Sequence, residues 1–173
     1  MGAWHPSFRY FFDIIDFLLN VRWVWQTKCK DERREKNEME RTLVILKPDA
    51  VERKLIGDIT SRFEKRNFTI THIKMLRISR ELAEIHYAHV KRQSIFEDMM
   101  RYITSGPVVA LILEGERVIS SVRNMVGKTN CFESPAGTIR GDFGMHRFKN
   151  LIHASDSPEN AVEEIARFFP EIQ

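Results

Sequence analysis

From residue 41 onward the chain alternates short apolar runs with segments of helical period. RTLVILK (41–47) is apolar throughout and is stopped by Pro48, which predicts a buried strand. IGDITSRFEKRN (56–67) spaces Ile56, Ile59 and Phe63 as a helix does. FTITHIKMLRIS (68–79) alternates like a strand, with Phe68, Ile70, His72, Lys74 and Leu76 on one side. RELAEIHYAHV (80–90) and IFEDMMRYIT (95–104) predict helices. Gly106-Pro107 then breaks the chain before a third strand, VVALILEG (108–115). ERVISSVRNMVG (116–127) predicts a helix stopped by Gly127. Residues 128–149, rich in Gly, Pro and Ser, read as loop. NLIHAS predicts a fourth strand. A last helix starts near 158, because Ser157 is a good N-cap, Pro158 is tolerated at the first helical position and Glu159 suits the helix dipole. The order β-α-β-α-α-β-α-loop-β-α contains a split βαβ twice. The fold expected is α+β and ferredoxin-like, with a four-stranded antiparallel sheet and helices on its faces. The two βαβ units alone place helices on one face.

Upstream of this pattern the chain is different. FRYFFDIIDFLLNVRWVW is apolar and aromatic, but Asp13, Asp16 and Arg22 interrupt it below membrane-spanning length. As a helix it gathers Arg9, Asp13, Asp16 and Asn20 into one polar stripe, so residues 8–25 could contact a membrane surface or a partner. It has no signal-peptide architecture, and Pro6 breaks the myristoylation pattern. KCKDERREKNEMER (28–41) is a charged linker or a solvated helix. A natural domain start at Met39 divides the chain into an N-terminal extension, 1–38, and a domain, 39–173.

Composition narrows the classes. The 173 residues suffice for one ordinary domain. A net charge of +3 is too small to argue for nucleic acid, though it allows a local basic site for a small anion. Cys29 and Cys131 fit neither a metal spacing nor a disulfide framework, which favours a reducing, cytoplasmic setting.

The candidate chemistry is carried by side chains. VGKT (126–129) is not a phosphate loop, because Val122 stands where that pattern needs glycine. GTIRGDFG lacks the Gly-x-Gly of a dinucleotide fingerprint. Lys47 ends an apolar strand, where it either snorkels to solvent or serves a site. Arg123 lies near a helix end that favours a cation in any case. Arg140, in a Gly-flanked loop, is an anion clamp or a turn brace. His153, between an apolar run and a helix start, is a packed core ring or an exposed reactive one. His86 and His89 are one helical turn apart without an obvious third metal ligand.

Together these features have a family likeness. ERTLVILKPDAV, HY, SGPVVALILEG, RNMVGKTN, GTIRGDF and NLIHASDS…EE, in that order, resemble nucleoside diphosphate kinases over about 40–170. The resemblance implies transfer of the γ-phosphate of a nucleoside triphosphate, with ATP as a donor, to a nucleoside diphosphate. It implies a ping-pong cycle through a phosphohistidine, with Mg²⁺ carried by the nucleotide. His153 matches the nucleophile, Glu164 the carboxylate that fixes its tautomer, and Ser155 the hydroxyl behind it. Lys47, Arg123, Thr129 and Arg140 match phosphate-holding positions, Tyr87 the tyrosine beside the transferred group, and Asn150 the residue that binds the sugar with Lys47. Ile95 and Met99 match the apolar contacts to the base. Relatives of this kind are homo-oligomers, usually tetramers or hexamers.

The chain departs from the family at two places. The base platform, often a phenylalanine in a Pro-Phe-Phe stretch, is Ile95 in Ser94-Ile95-Phe96, and Phe96 is expected in the core. The family's loop prolines are missing or shifted in Asn130-Cys131 and Pro135-Ala136-Gly137, which frees the unfolded loop and bears on assembly. Three further readings compete with the enzyme: a relative that has lost activity and serves as a binding module, a nucleic-acid surface on the basic loop and helix, which the small net charge does not support, and a membrane tether through residues 8–25.

Overall fold

The computed structural model describes residues 39–172. The N-terminal extension, its proposed amphipathic helix and its membrane contact lie outside the described residues. Four strands, β1 (Met39–Leu46), β2 (Thr69–Arg77), β3 (Pro107–Glu116) and β4 (Ile152–Ala154), form one sheet in the order β2-β3-β1-β4. All three pairings are antiparallel. Among the described residues seven α-helices accompany them: α1 (Pro48–Glu52), α2 (Ile56–Lys65), α3 (Arg80–His86), α4 (Phe96–Ile103), α5 (Val118–Val126), α6 (Ile139–Phe143) and α7 (Pro158–Phe168). Among the described residues no helix is long and apolar enough to cross a membrane.

Alternation along the central strands builds two cores. Val44, Leu46, Leu111 and Leu113 face one side, against Ile59 and Phe63 of α2 and Val118 and Val122 of α5. Leu43, Ile45, Ala110 and Ile112 face the other, against Ala83 of α3, Met100 and Ile103 of α4, and Phe168 of α7. The expected helices on both faces are therefore present. The extra pair α3–α4 and the C-terminal α7 supply the layer that the two βαβ units alone do not. Phe96 is buried in this second core, as expected.

Local differences from the sequence reading have physical causes. In β2 the register slips between Ile70 and His72, so a bulge at Thr71 reverses the alternation. Phe68 and Ile70 go to the first core, whereas Leu76 packs on the second; they do not share one face. Ile73 and Met75 of this edge strand are left 56% and 59% exposed. Two five-residue helices were read as strand end or loop. In α1, Pro48 at the first position and Asp49 in the first turn start a helix directly after β1. In α6, Thr138 caps the start by accepting from Gly141 N at 3.0 Å.

Candidate active site

The site grows from the end of β1 and the start of β4. β4 pairs with β1 so that His153 stands opposite Ile45, on the face that carries α3, α4 and α7. Just before it, Leu151 has φ 70, a left-handed conformation unusual for a branched residue. That turn is tied on three sides. Leu151 N donates to Asp49 Oδ2 at 3.2 Å, and its carbonyl accepts from Lys47 N at 2.8 Å. Arg140 donates from Nε to Asn150 O (3.1 Å), from Nη2 to Ile152 O (2.6 Å) and from Nη1 to Gly127 O (3.1 Å). Gly127 needs its own left-handed φ of 85, and a Cβ there would fall 2.6 Å from Thr138 Oγ1. Asp49 also accepts from the Tyr102 hydroxyl. Its anchoring role was not read from the sequence, where Pro48-Asp49 marked only the end of a strand.

His153 Nε2 lies 3.0 Å from both Glu164 oxygens. An ionised carboxylate only accepts, so Nε2 carries the proton and Nδ1 keeps the lone pair. Ser155 Oγ, fully buried, donates to Glu164 Oε2 at 2.6 Å and accepts from Leu43 N at 3.2 Å. Burial raises the Glu164 pKa, but the His153 and Ser155 hydrogen bonds and the His153 charge outweigh it and hold the carboxyl below its ordinary range.

A cavity of about 1160 Å³ opens in front of His153. Each of the eleven residues that the sequence singled out except Ser155 lines it; Ser155 stands behind Glu164. Lys47 Nζ donates to Asn150 Oδ1 at 2.7 Å, and Asn150 Nδ2 donates to Thr129 O at 2.9 Å. Arg123 Nη1 reaches Ala154 O at 3.4 Å. Burial, then the Arg140 charge, push the Lys47 amine down to about 7, while Asp49 acts the other way. Burial and the Arg123 charge bring Arg140 down to about 10. Lys47, Arg123 and Arg140 share one wall and none of them has a carboxylate as its hydrogen-bond partner, which is the electrostatic form of an anion site. Arg140 spends three of its five donor hydrogens on carbonyls and keeps two. Brace and clamp, alternatives in the sequence, are thus compatible. Ile95 and Met99, from the start of α4, form an apolar part of the same wall. Phe148, 46% exposed, also lines the cavity and was not noted in the sequence. Its signal was an aromatic residue two positions before Asn150.

His86, His153 and Glu164 offer three candidate metal-ligand atoms within 4.8 Å of one another; His89, paired with His86 in the sequence, is not among them. Glu164 is held by His153 Nε2 and Ser155, His86 Nδ1 faces Arg167, and imidazoles do not make the oxygen shell that Mg²⁺ demands.

Comparison with known proteins decides the family. The family model described as nucleoside diphosphate kinase matches residues 40–173. The chain belongs to the nucleoside diphosphate kinase family. It is therefore an enzyme, a nucleotide-binding phosphotransferase. The nucleoside diphosphate kinase of Acetivibrio thermocellus is 68% identical over 134 residues, 78% of this chain and 98% of that one. That of Carboxydothermus hydrogenoformans is 53% identical over 133 residues, covering 77% and 89%. The halophilic nucleoside diphosphate kinase of Halobacterium salinarum, solved in complex with CDP, superposes with a TM-score of 0.74 at 42% identity, covering 76% of this chain and 88% of that one.

The Lys47 shift has a consequence for the free kinase. The unfolded lysine titrates near 10.5 and the folded one near 7. Between these values the unfolded chain binds more protons, so stability rises with pH. Below pH 7 both states are protonated and the folded state carries the full cost of the buried charge. Lys47→Met should therefore raise the unfolding midpoint at pH 6. The gain should narrow as pH climbs through 7 toward 10.5. Denaturant melts at pH 6, 7 and 9 check this; a gain that does not change with pH would rule out a depressed Lys47.

Proposed function

We propose that the cavity transfers the terminal phosphate of a nucleoside triphosphate through His153. The observation that carries this is the tautomer lock: Glu164 takes Nε2–H and leaves a nucleophilic lone pair on Nδ1 beside three cations. Imidazole is nucleophilic near neutral pH and leaves readily once phosphorylated. Nδ1 attacks the γ-phosphorus, a bond forms between them, and the bond to the bridging oxygen breaks with its electrons on the departing diphosphate. A second nucleoside diphosphate then takes the group by the reverse step. Lys47, Arg123, Arg140 and Thr129 bear on the phosphates, where stabilising charge spread over the oxygens is most of the catalysis. Asn150 with Lys47 holds the sugar, and Tyr87 stands beside the transferred group. Mg²⁺ arrives on the phosphates of the substrate, ATP among the donors. The cytoplasm is the setting we assign, in keeping with a cysteine usage that fits no disulfide framework.

Incubating the full chain with γ-labelled ATP and Mg²⁺ should yield acid-labile, alkali-stable label. The label should chase into GTP on adding GDP and be absent in His153→Ala. A folded protein that takes no label would overturn the kinase reading and leave a nucleotide-binding module.

The base rests on the aliphatic Ile95 and on Met99. An aromatic ring in place of Ile95 should add roughly 0.5–1.5 kcal/mol of ring–ring contact. Ile95→Phe is thus expected to lower the Michaelis constants for purine nucleotides about two- to tenfold, with kcat little changed. Steady-state kinetics measure this; unchanged constants would show that Ile95 does not touch the base.

We also propose a homo-oligomer, a tetramer or hexamer. It is supported by the exposed Ile73 and Met75 on the edge strand β2 and by Phe132 and Met145, 74% and 72% exposed, near the loop that follows α5. Sedimentation of the full chain should give a multimer. A monomer at micromolar concentration would sink the proposal.

A further inference from the structure

His86, the last residue of α3, has no part in the phosphate chemistry above, yet it touches the nucleophile. Its side chain is completely buried. Its ring packs edge-on against His153, centroids 4.6 Å apart at 81°, and is caged by Tyr87 at 4.7 Å and Phe168 at 5.1 Å. Such a cage would suit a phenylalanine. The nitrogens need another reason, because Nε2 is buried without a hydrogen-bond partner and that is unfavourable.

The reason lies at Nδ1. Arg167 Nη1 approaches it at 3.3 Å. A guanidinium can only donate, so Nδ1 carries a lone pair and Nε2 the proton. Burial, followed by the His153 charge, pushes the His86 pKa down to about 3, against the pull of Glu164, so the acceptor persists at any working pH. Arg167 itself sits on α7, three residues after Glu164 and four after Glu163. Residues at both spacings share a helix face, so Arg167 is placed to pair with either acid. Its other nitrogen, Nη2, lies 3.9 Å from Glu163. Glu164 keeps both oxygens for His153 and Ser155. Its Oε1 is also 3.8 Å from His86 Nδ1, so the contest between the acceptors takes place within one turn of the helix.

We propose that His86 is a positioning residue that draws the Arg167 guanidinium away from Glu164 and so leaves that carboxylate to fix the His153 tautomer. This rests on the roles assigned to His153 and Glu164 above. Without the acceptor at Nδ1, the Arg167 Nη1 group is released within reach of Glu164 Oε1, since the two lie 3.3 and 3.8 Å from His86 Nδ1, while Nη2 stays beside Glu163. Glu164 is then shared, and the His153 ring loses its fixed proton position.

The test is a double-mutant cycle on the full chain, read in two ways. Nitrogen-15 spectra of the histidine rings in the resting protein report the His153 tautomer without any turnover. Single-turnover labelling from ATP reports the phosphorylation rate. His86→Phe keeps the ring and the cage but removes the acceptor. It should scatter the His153 tautomer and slow labelling by roughly ten- to a hundredfold, the scale of a misplaced reacting group, with nucleotide affinity retained. In an Arg167→Met background the same His86→Phe change should alter the rate by less than about twofold, because the competitor is gone. His86→Gln, which returns an acceptor oxygen, should keep the His153 tautomer and gives a second route if the phenylalanine variant does not fold. A wild-type tautomer and rate in His86→Phe would overturn the proposal. So would an equal loss in the Arg167→Met background, or a scattered tautomer in His86→Gln. A tautomer that responds as expected in a chain that takes no label would uphold this role while the kinase reading fell.

Discussion

The left-handed turn at Leu151 is the constraint on which the site depends. A branched residue at φ 70 costs of order 1–3 kcal/mol unless its surroundings hold it there. Here they do so with Asp49 on the amide, Lys47 N on the carbonyl, and Arg140 on the carbonyls at either side. Straightening the turn would move Asn150 away from Lys47 and His153 out of register with Ile45. The same turn thus sets Asn150 before it and His153 after it, the residues proposed to hold the sugar and to take the phosphate. β4 is only three residues long, so its pairing with β1 contributes little by itself, and side-chain ties must supply the precision.

Function is built onto a frame whose rigidity comes from elsewhere. β1 and β3 are apolar on both faces and buried between two helix layers. Lys47 follows directly on the last buried residue of β1. His153 projects from β4 toward the layer that carries α7, where Glu164 and Ser155 fix its ring. Residues on strands and helices hold a reacting group more closely than residues on free loops. The loop after α5, despite its altered prolines, is drawn in by its own bonds: Ser134 Oγ to Lys128 O at 3.0 Å and Thr138 Oγ1 to Pro135 O at 2.6 Å. Its middle therefore supports Thr129 and Arg140 without the rigidity that proline would give.

What the sequence made legible was whatever repeats along the chain. The strands, the long helices and the Ser157-Pro158 helix start all announce themselves by period or by capping chemistry. The motif likeness then placed the residues that line the cavity. What stayed hidden has no period. α1 and α6 are five residues long, too short to complete an amphipathic pattern. The bulge at Thr71 depends on how β2 meets β3, and a strand read alone continues its alternation. Asp49 acts across the fold on Leu151, and His86 acts on a residue of another helix. His86 left one local trace, three positions after Ala83 on the buried face of α3, but a buried histidine at helical spacing has the same signature whether or not it serves a site.

Burial first, and mutual repulsion second, depress the pKa values of Lys47 and Arg140. A chain under selection for stability alone would replace Lys47 with an apolar residue at the end of an apolar strand. Loss of the Lys47 proton relieves part of the cost of the buried charge and an entering anion would relieve it too, so under the proposed function the unfavourable charge favours phosphate binding. The neutral histidine behind His153 obeys the same logic. A protonated His86 would add a fourth cation beside the nucleophile and compete for Glu164, whereas the neutral ring accepts from Arg167 and leaves the carboxylate alone. Charge is thus concentrated on the wall of Lys47, Arg123 and Arg140, where the phosphate is proposed to bind, and withheld beside Glu164, where the tautomer is set.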